Sequence, residues 1–101
     1  MNMINSILHF GKTLRDHDVN LRDLRIILCV AKISMKRQCE SAEVMNITGE
    51  INARNSMHRL KAAGYLQADE CRAEFTNTKR FTNWRISPKS EKLITNLLNQ
   101  K

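Results

Sequence analysis

Residues 47–66 read I-T-G-E-I-N-A-R-N-S-M-H-R-L-K-A-A-G-Y-L. Taken as a helix over residues 49–63, the stretch divides into two faces. Ala53, Ser56, Met57 and Leu60 recur at helical spacing and form one small, mostly apolar face. Arg54, Asn55 and His58 form another, with Asn52 and Arg59 to one side. Thr48 suits the N-cap and Gly64 the stop. The only acid in the stretch is Glu50, so the polar face lacks the Glu/Lys ladder that supports exposed helices. A helix of this kind rests on a core and turns donors outward.

The segments on either side say what that helix belongs to. Met3, Ile4, Ile7, Leu8 and Leu14 predict an amphipathic helix over about residues 2–15, weakened in its second half by Gly11 and broken by residues 17–20. Asn20 can cap a second helix, Leu21 to about Lys32, with Asp23 completing a capping-box-like pair. Leu24, Ile27, Leu28 and Ala31 line one of its faces and Ile26, Val30 and Ile33 another, which marks it as central. Residues 33–36 make a connector that can add an edge strand. A brief third helix over residues 37–44, with Cys39 and Ala42 inward, leads through residues 45–48 into the opening stretch.

Beyond Gly64, residues 65–71 alternate as a half-buried strand does, and residues 81–86 alternate again with Trp84 and Ile86 on one side. Residues 76–80 supply turn residues and two adjacent cations, giving a β-hairpin with a basic tip. Ser87-Pro88 reads as N-cap and first residue of a last helix striped by Leu93, Ile94, Leu97 and Leu98.

One hundred and one residues make one domain with a single modest core. Seventeen Lys and Arg against ten Asp and Glu leave a net charge of +7, which favours an anionic partner. Residues 75–101 concentrate that excess, with six cations and one acid. Three cysteines, Cys29, Cys39 and Cys71, have neither an even count nor metal-ligand spacing, and Cys29 reads as a small core residue. A redox-sensing thiol would need a lowered pKa and access. The longest apolar run, residues 26–31, is far too short to span a membrane, and no secretory signal opens the chain. The expected location is therefore the cytoplasm. His9, His17 and His58 are scattered, and no nucleophile–base set, Gly-rich phosphate loop or zinc motif is spelled out. No catalytic residue, metal or cofactor is expected.

Helix, helix, turn, helix and basic hairpin is the order of a winged helix-turn-helix. Asn20-Leu21-Arg22-Asp23-Leu24-Arg25-Ile26-Ile27-Leu28 resembles a helix of the multiple-antibiotic-resistance-regulator (MarR) type, which opens with Leu and runs to a Val-Leu-like core pair. Arg59-Leu60-Lys61-Ala62-Ala63-Gly64-Tyr65-Leu66 resembles that family's L-x-x-x-G-[LY]-[IL] ending of the recognition helix. Arg85-Ile86-Ser87-Pro88-Lys89 resembles its L-T-x-K segment, and Thr78-Lys79-Arg80 fills the place of its D-x-R wing tip, with Thr78 standing for the aspartate. The resemblance covers about residues 21–94. The chain is shorter than members of that family tend to be, so its dimerisation arms must be short. In size and plan it is also similar to compact plasmid and phage winged-helix proteins, including centromere-binding partition proteins.

The expected class is α+β, mainly α: a winged helix-turn-helix core over residues 21–87, flanked by dimerisation helices over residues 1–16 and 88–101. Arg and Asn have the geometry to read guanine and adenine edges in a major groove. The resemblance and that chemistry together imply sequence-specific binding of double-stranded DNA by a dimeric transcriptional regulator, a repressor by occlusion. Thr48, Ile51, Asn52, Arg54, Asn55, His58 and Arg59 are the expected contacts from the helix. Arg54 and Asn55 are placed at base edges, and Ile51 either meets a thymine methyl or packs on the preceding helix. Asn77, Thr78, Lys79 and Arg80 are the expected contacts from the wing. Ile4, Ile7, Leu8, Leu93, Ile94, Leu97 and Leu98 are expected to pair a homodimer across a twofold axis. No small-molecule effector is legible. The alternatives are a plasmid or phage partition or replication protein on repeated sites, and a winged-helix module that docks an acidic protein.

Overall fold

The computed structural model describes residues 2–72 and 79–98. Its elements are helices α1 (Asn2–Asp16), α2 (Leu21–Ser34), α3 (Ser41–Thr48) and α4 (Ala53–Ala62), strands β1 (Leu66–Arg72) and β2 (Lys79–Ile86), and helix α5 (Pro88–Leu98). The architecture is α+β and mainly helical, with one two-stranded antiparallel sheet among the described residues. None of the described helices is long and apolar enough to cross a membrane.

The core is built on α2. The Asn20 side chain accepts from the Asp23 backbone N–H at 2.8 Å, which satisfies one of the open donors of the first turn. Ile26, Ile27 and Val30 are completely buried, each removal from water being worth about 1.5–3 kcal/mol. Around them lie Val44 of α3, Ala53, Met57 and Leu60 of α4, Leu66 of β1, Trp84 of β2 and Leu93 of α5. The predicted reach of Asp23 back to its own helix terminus does not occur. Its carboxylate is buried and turned to Arg59 of α4.

Left-handed residues set the helix ends. Asp18 (φ 55°) closes α1, with Val19 N–H bonded to Leu14 O and Asp18 N–H to Arg15 O, the Schellman pattern. Gly64 (φ 90°) closes α4 in the same way through Tyr65 N–H to Leu60 O. Gly49 (φ 72°) ends α3, and here the structure corrects the sequence reading. A residue with that φ cannot be the first residue of a right-handed helix, so α4 begins at Ala53 after a turn through Ile51 and Asn52. Thr48 accordingly is the last residue of α3 and not the N-cap of α4. Its buried hydroxyl donates back to Val44 O at 2.7 Å. Asn52 precedes α4 without a side-chain capping bond.

The third helix also starts later than residue 37. Cys39 forms an isolated antiparallel bridge to Trp84, with Trp84 N–H bonded to Cys39 O at 2.9 Å, and Glu40 is extended. The edge strand expected at residues 33–36 does not form, because Ile33 and Ser34 stay in α2 and Met35 and Lys36 turn; the bridge lies beyond them, at Cys39. Strand β1 pairs with β2 from Leu66↔Ile86 to Arg72↔Lys79, with an irregularity between Gln67 and Asp69. Opposite it, Asn83 takes φ 55° and donates its side-chain amide to Asp69. Lys79 and Arg80 lie within β2 and not in the turn. Asn77 and Thr78 fall outside the described residues.

Serine 87 caps α5, accepting the Ser90 N–H at 3.3 Å. Helix α5 turns Ser90 and Leu93 inward, and α1 lies alongside it. His9 Nε2 donates to the Asn96 carbonyl at 2.7 Å, and the Tyr65 hydroxyl donates to His17 O at 2.6 Å. Only the second half of α1 enters the core, through Thr13 and Leu14.

Candidate nucleic-acid interface

Helix α4 stands over the core on the face read from its sequence: Ala53, Ser56, Met57 and Leu60 are all buried. Turned away from the core are Asn52, Arg54, Asn55, His58 and Arg59, all exposed. Ile51 is 86% exposed, so packing on the preceding helix is excluded. It lines a shallow trough with Met45, Asn52, Arg54 and Asn55.

Beside α4 the hairpin closes a larger cleft, about 860 Å³ in volume. Arg54 and His58 form one wall, and Lys79, Arg80, Phe81 and Cys71 the other. Glu40, Ser41 and Ala42 stand at the start of α3, and Trp84 lies at the inner end. The cleft thus joins the outward face of α4 to the cationic end of β2. Glu40, which accepts the Thr82 hydroxyl, brings one carboxylate to the same place.

Aromatic contacts hold the two walls together. The His58 ring meets Phe81 at 5.3 Å and Trp84 at 5.4 Å between centroids, both edge to face. Lys61 Nζ sits 4.5 Å from the Phe81 centroid and Lys79 Nζ 5.5 Å from it. Burial, then the charges of Arg54 and Lys61, hold the His58 imidazole below the ordinary histidine range. Trp84 is fully buried, and its indole N–H has no acceptor among the described residues.

The expected site residues therefore divide. Arg54, His58, Lys79 and Arg80 come together around one cleft, with Ile51, Asn52 and Asn55 in the adjoining trough, which Arg54 also lines. Thr48 does not join them, being buried beneath the α3–α4 turn. Arg59 lies outside both recesses, and both of its terminal nitrogens are engaged by Asp23, at 3.1 and 2.6 Å. That bond raises the guanidinium's pKa further. Lys79 also reaches Glu70 at 3.5 Å. The sequence reading missed Lys61, Phe81 and Glu40. Phe81 alternates with Trp84 only if the irregularity at Asn83 is known, and Glu40 approaches β2 through the Cys39–Trp84 bridge.

Of the residues expected at a dimer interface, Ile4, Ile7, Leu8 and Leu98 are exposed, at 61%, 65%, 65% and 77%. Leu93 is not available there: it is completely buried in the core. Ile94 and Leu97 are half-buried against the same core. Among the described residues no group of three or more His, Cys, Asp or Glu could hold a metal ion. The Cys39 thiol is pushed up to about 11 by burial, and burial also raises Cys29, the reverse of a reactive thiolate. Cys29 is half-buried rather than a full core residue, and Cys71 is exposed. No family model, no curated protein and no solved structure matches this chain.

Proposed function

We propose that the chain is a winged helix-turn-helix protein that binds double-stranded DNA as a homodimer and regulates transcription, acting as a repressor by occlusion. The observation that carries this reading is the continuity of donors from Asn52, just before α4, and Arg54, Asn55 and His58 on it, through the trough and the cleft beside it, to Lys79 and Arg80. In this reading α4 enters the major groove. Arg54 and Asn55 meet base edges, Ile51 offers its side chain to a thymine methyl, and the hairpin lies along the flanking backbone or minor groove.

Exposed Ile4, Ile7, Leu8 and Leu98 support the dimer. A contiguous apolar stripe on a helix that docks through only half its length is a surface to be covered. A twofold pairing there would present two α4 helices to a near-palindromic site at about one DNA turn, roughly 34 Å. The test is selection from a random duplex pool at about 150 mM salt, where non-specific electrostatic binding is partly suppressed. Enrichment of an inverted repeat supports the reading. An unenriched pool overturns it.

A further inference from the structure

A second recess lies between α2 and the end of α3 and has a different character. Its floor is aliphatic: Leu28, Cys29 and Ile33 of α2 face Ile47 of α3. Leu28 is 45% and Ile47 61% exposed, both large apolar side chains left in water. The rim is cationic, with Arg25 and Lys32 seven residues apart on α2, about 10 Å along the helix. Lys36 and Arg37 continue it, and among the described residues no acid lines the groove. Two of these cations are already engaged, Arg25 by Thr48 O and Glu50, and Arg37 by Glu43. Lys32 and Lys36 make no ion pair among the described residues.

The groove shares no lining residue with the α4–hairpin cleft or its trough. Residues Ser41, Ala42 and Met45 of α3 serve those two, while Ile47 and Thr48 serve this one. Phosphate alone would satisfy the lysines and leave Leu28 and Ile47 uncovered. The recess is open along its length, so a small molecule would not be enclosed to the extent that ligand sites normally achieve. An apolar stripe flanked by carboxylates matches both features at once.

We infer that the α2–α3 groove docks an acidic amphipathic helix of a partner protein, its apolar stripe on Leu28 and Ile47 and its carboxylates on Lys32 and Lys36. This site is separate from the duplex-binding surface, and its occupancy does not depend on that reading. Arg25 is shared with the α3–α4 turn through Thr48 O, so the partner would sit against the segment that leads into α4.

The probe is a synthetic helical peptide of about 16 residues, about 24 Å long, with Leu on one stripe and Glu on both flanks. Its counterpart carries Lys in place of Glu. The full chain is followed by the methyl resonances of Leu28 and Ile47. Saturable binding of the Glu peptide is expected, with shifts at both methyls and much weaker binding of the Lys peptide. Lys32→Glu with Lys36→Glu should weaken it about tenfold, each change replacing a surface attraction by a repulsion. Ile47→Ser should weaken it by a similar factor through lost apolar contact. Both variants alter exposed groups, and circular dichroism checks that they fold. No saturation up to about 1 mM, a weak limit for any specific site, would overturn the inference. Equal binding of the Lys peptide, shifts confined to Ile4 and Ile7, or displacement by a short DNA duplex would do the same. Failure of the duplex selection together with peptide binding would remove the DNA reading and leave this one standing.

Discussion

Arg59 of α4 grips the carboxylate of Asp23 of α2 with both terminal nitrogens, at 3.1 and 2.6 Å. Asp23 is 2% exposed and Arg59 57%, so the pair stands at the edge of the core with its negative member inside. A fork-to-carboxylate bond of this kind fixes angle as well as distance. It sets how α4 lies across α2, and with it the direction in which Arg54 and Asn55 point.

Removing the guanidinium leaves Asp23 buried without its partner. A fully buried pair broken this way costs about 3–5 kcal/mol. Solvent beside Arg59 screens part of that, so Arg59→Ala should destabilise the chain by about 1–2 kcal/mol. Asp23→Asn, which removes the buried charge itself, should cost less. Urea titrations followed by circular dichroism measure both, and an Arg59→Ala chain as stable as the original would contradict the structural role.

Under the proposed function, α4 and the hairpin should fail differently. Arg54→Ala and Asn55→Ala should each cost about 1–3 kcal/mol on a selected site and relax its sequence at one position. Lys79→Ala or Arg80→Ala should weaken all duplexes alike and lower the salt slope by about one unit each. Binding isotherms at several salt concentrations separate the two patterns. An unchanged slope for both hairpin variants would remove the hairpin from the interface.

The low pKa of His58 makes a pH prediction with a defined sign. Its folded value lies below the ordinary value of about 6.5, so the unfolded chain binds more protons between the two values. Its stabilising share is complete above about 6.5 and falls away as pH drops through the folded value. A bound phosphate backbone reverses the local charge that Arg54, Lys61 and Lys79 impose, and Glu40 is the acid facing the same cleft. Protonation of His58 should then accompany binding, so duplex affinity should rise as pH falls from about 7 toward 5.5. His58→Gln should flatten that rise. A slope that persists in the variant would assign the proton to another group.

Ile7→Glu with Leu8→Glu should leave the fold intact, because both side chains are 65% exposed in the single chain. If α1 pairs two copies, light scattering should show the mass halving to one chain and duplex affinity should fall with it. Leu93→Glu would not serve, since it places a charge in the core. An unmodified chain that is already monomeric at micromolar concentration would refute the dimer.

Much of the architecture was legible from residues 47–66 outward, because local patterns carry it. The inward set of α4, the Asn20 cap, the Ser87-Pro88 helix start and the Gly64 stop are each written within a few neighbouring residues, and each is present. The errors share another cause. Thr48-Gly49 reads equally well as a helix beginning or a helix ending, and the left-handed backbone at Gly49 settles it as an ending. Leu93 and Leu98 have the same hydropathy, yet only the packing of α5 on Tyr65 and the core sends one inside and leaves the other in water.

Alternation and capping depend on residues a few places apart, so the sequence by itself determined the element order, the buried face of α4 and its polar composition; the stripe of Ile4, Ile7 and Leu8 on α1 was equally legible, but packing left it in water. Groups brought together from positions 23, 26, 36, 48 or 87 places apart in the chain lie beyond any local pattern. Only the tertiary structure could therefore decide that Arg59 serves Asp23, that Thr48 is buried, and that His58 rests on Phe81 and Trp84. The opening stretch keeps its two faces, but Arg54 and Asn55 stand exposed on the outer one while Arg59 is committed to holding the helix in place, because a buried carboxylate requires a partner more than a solvated surface does.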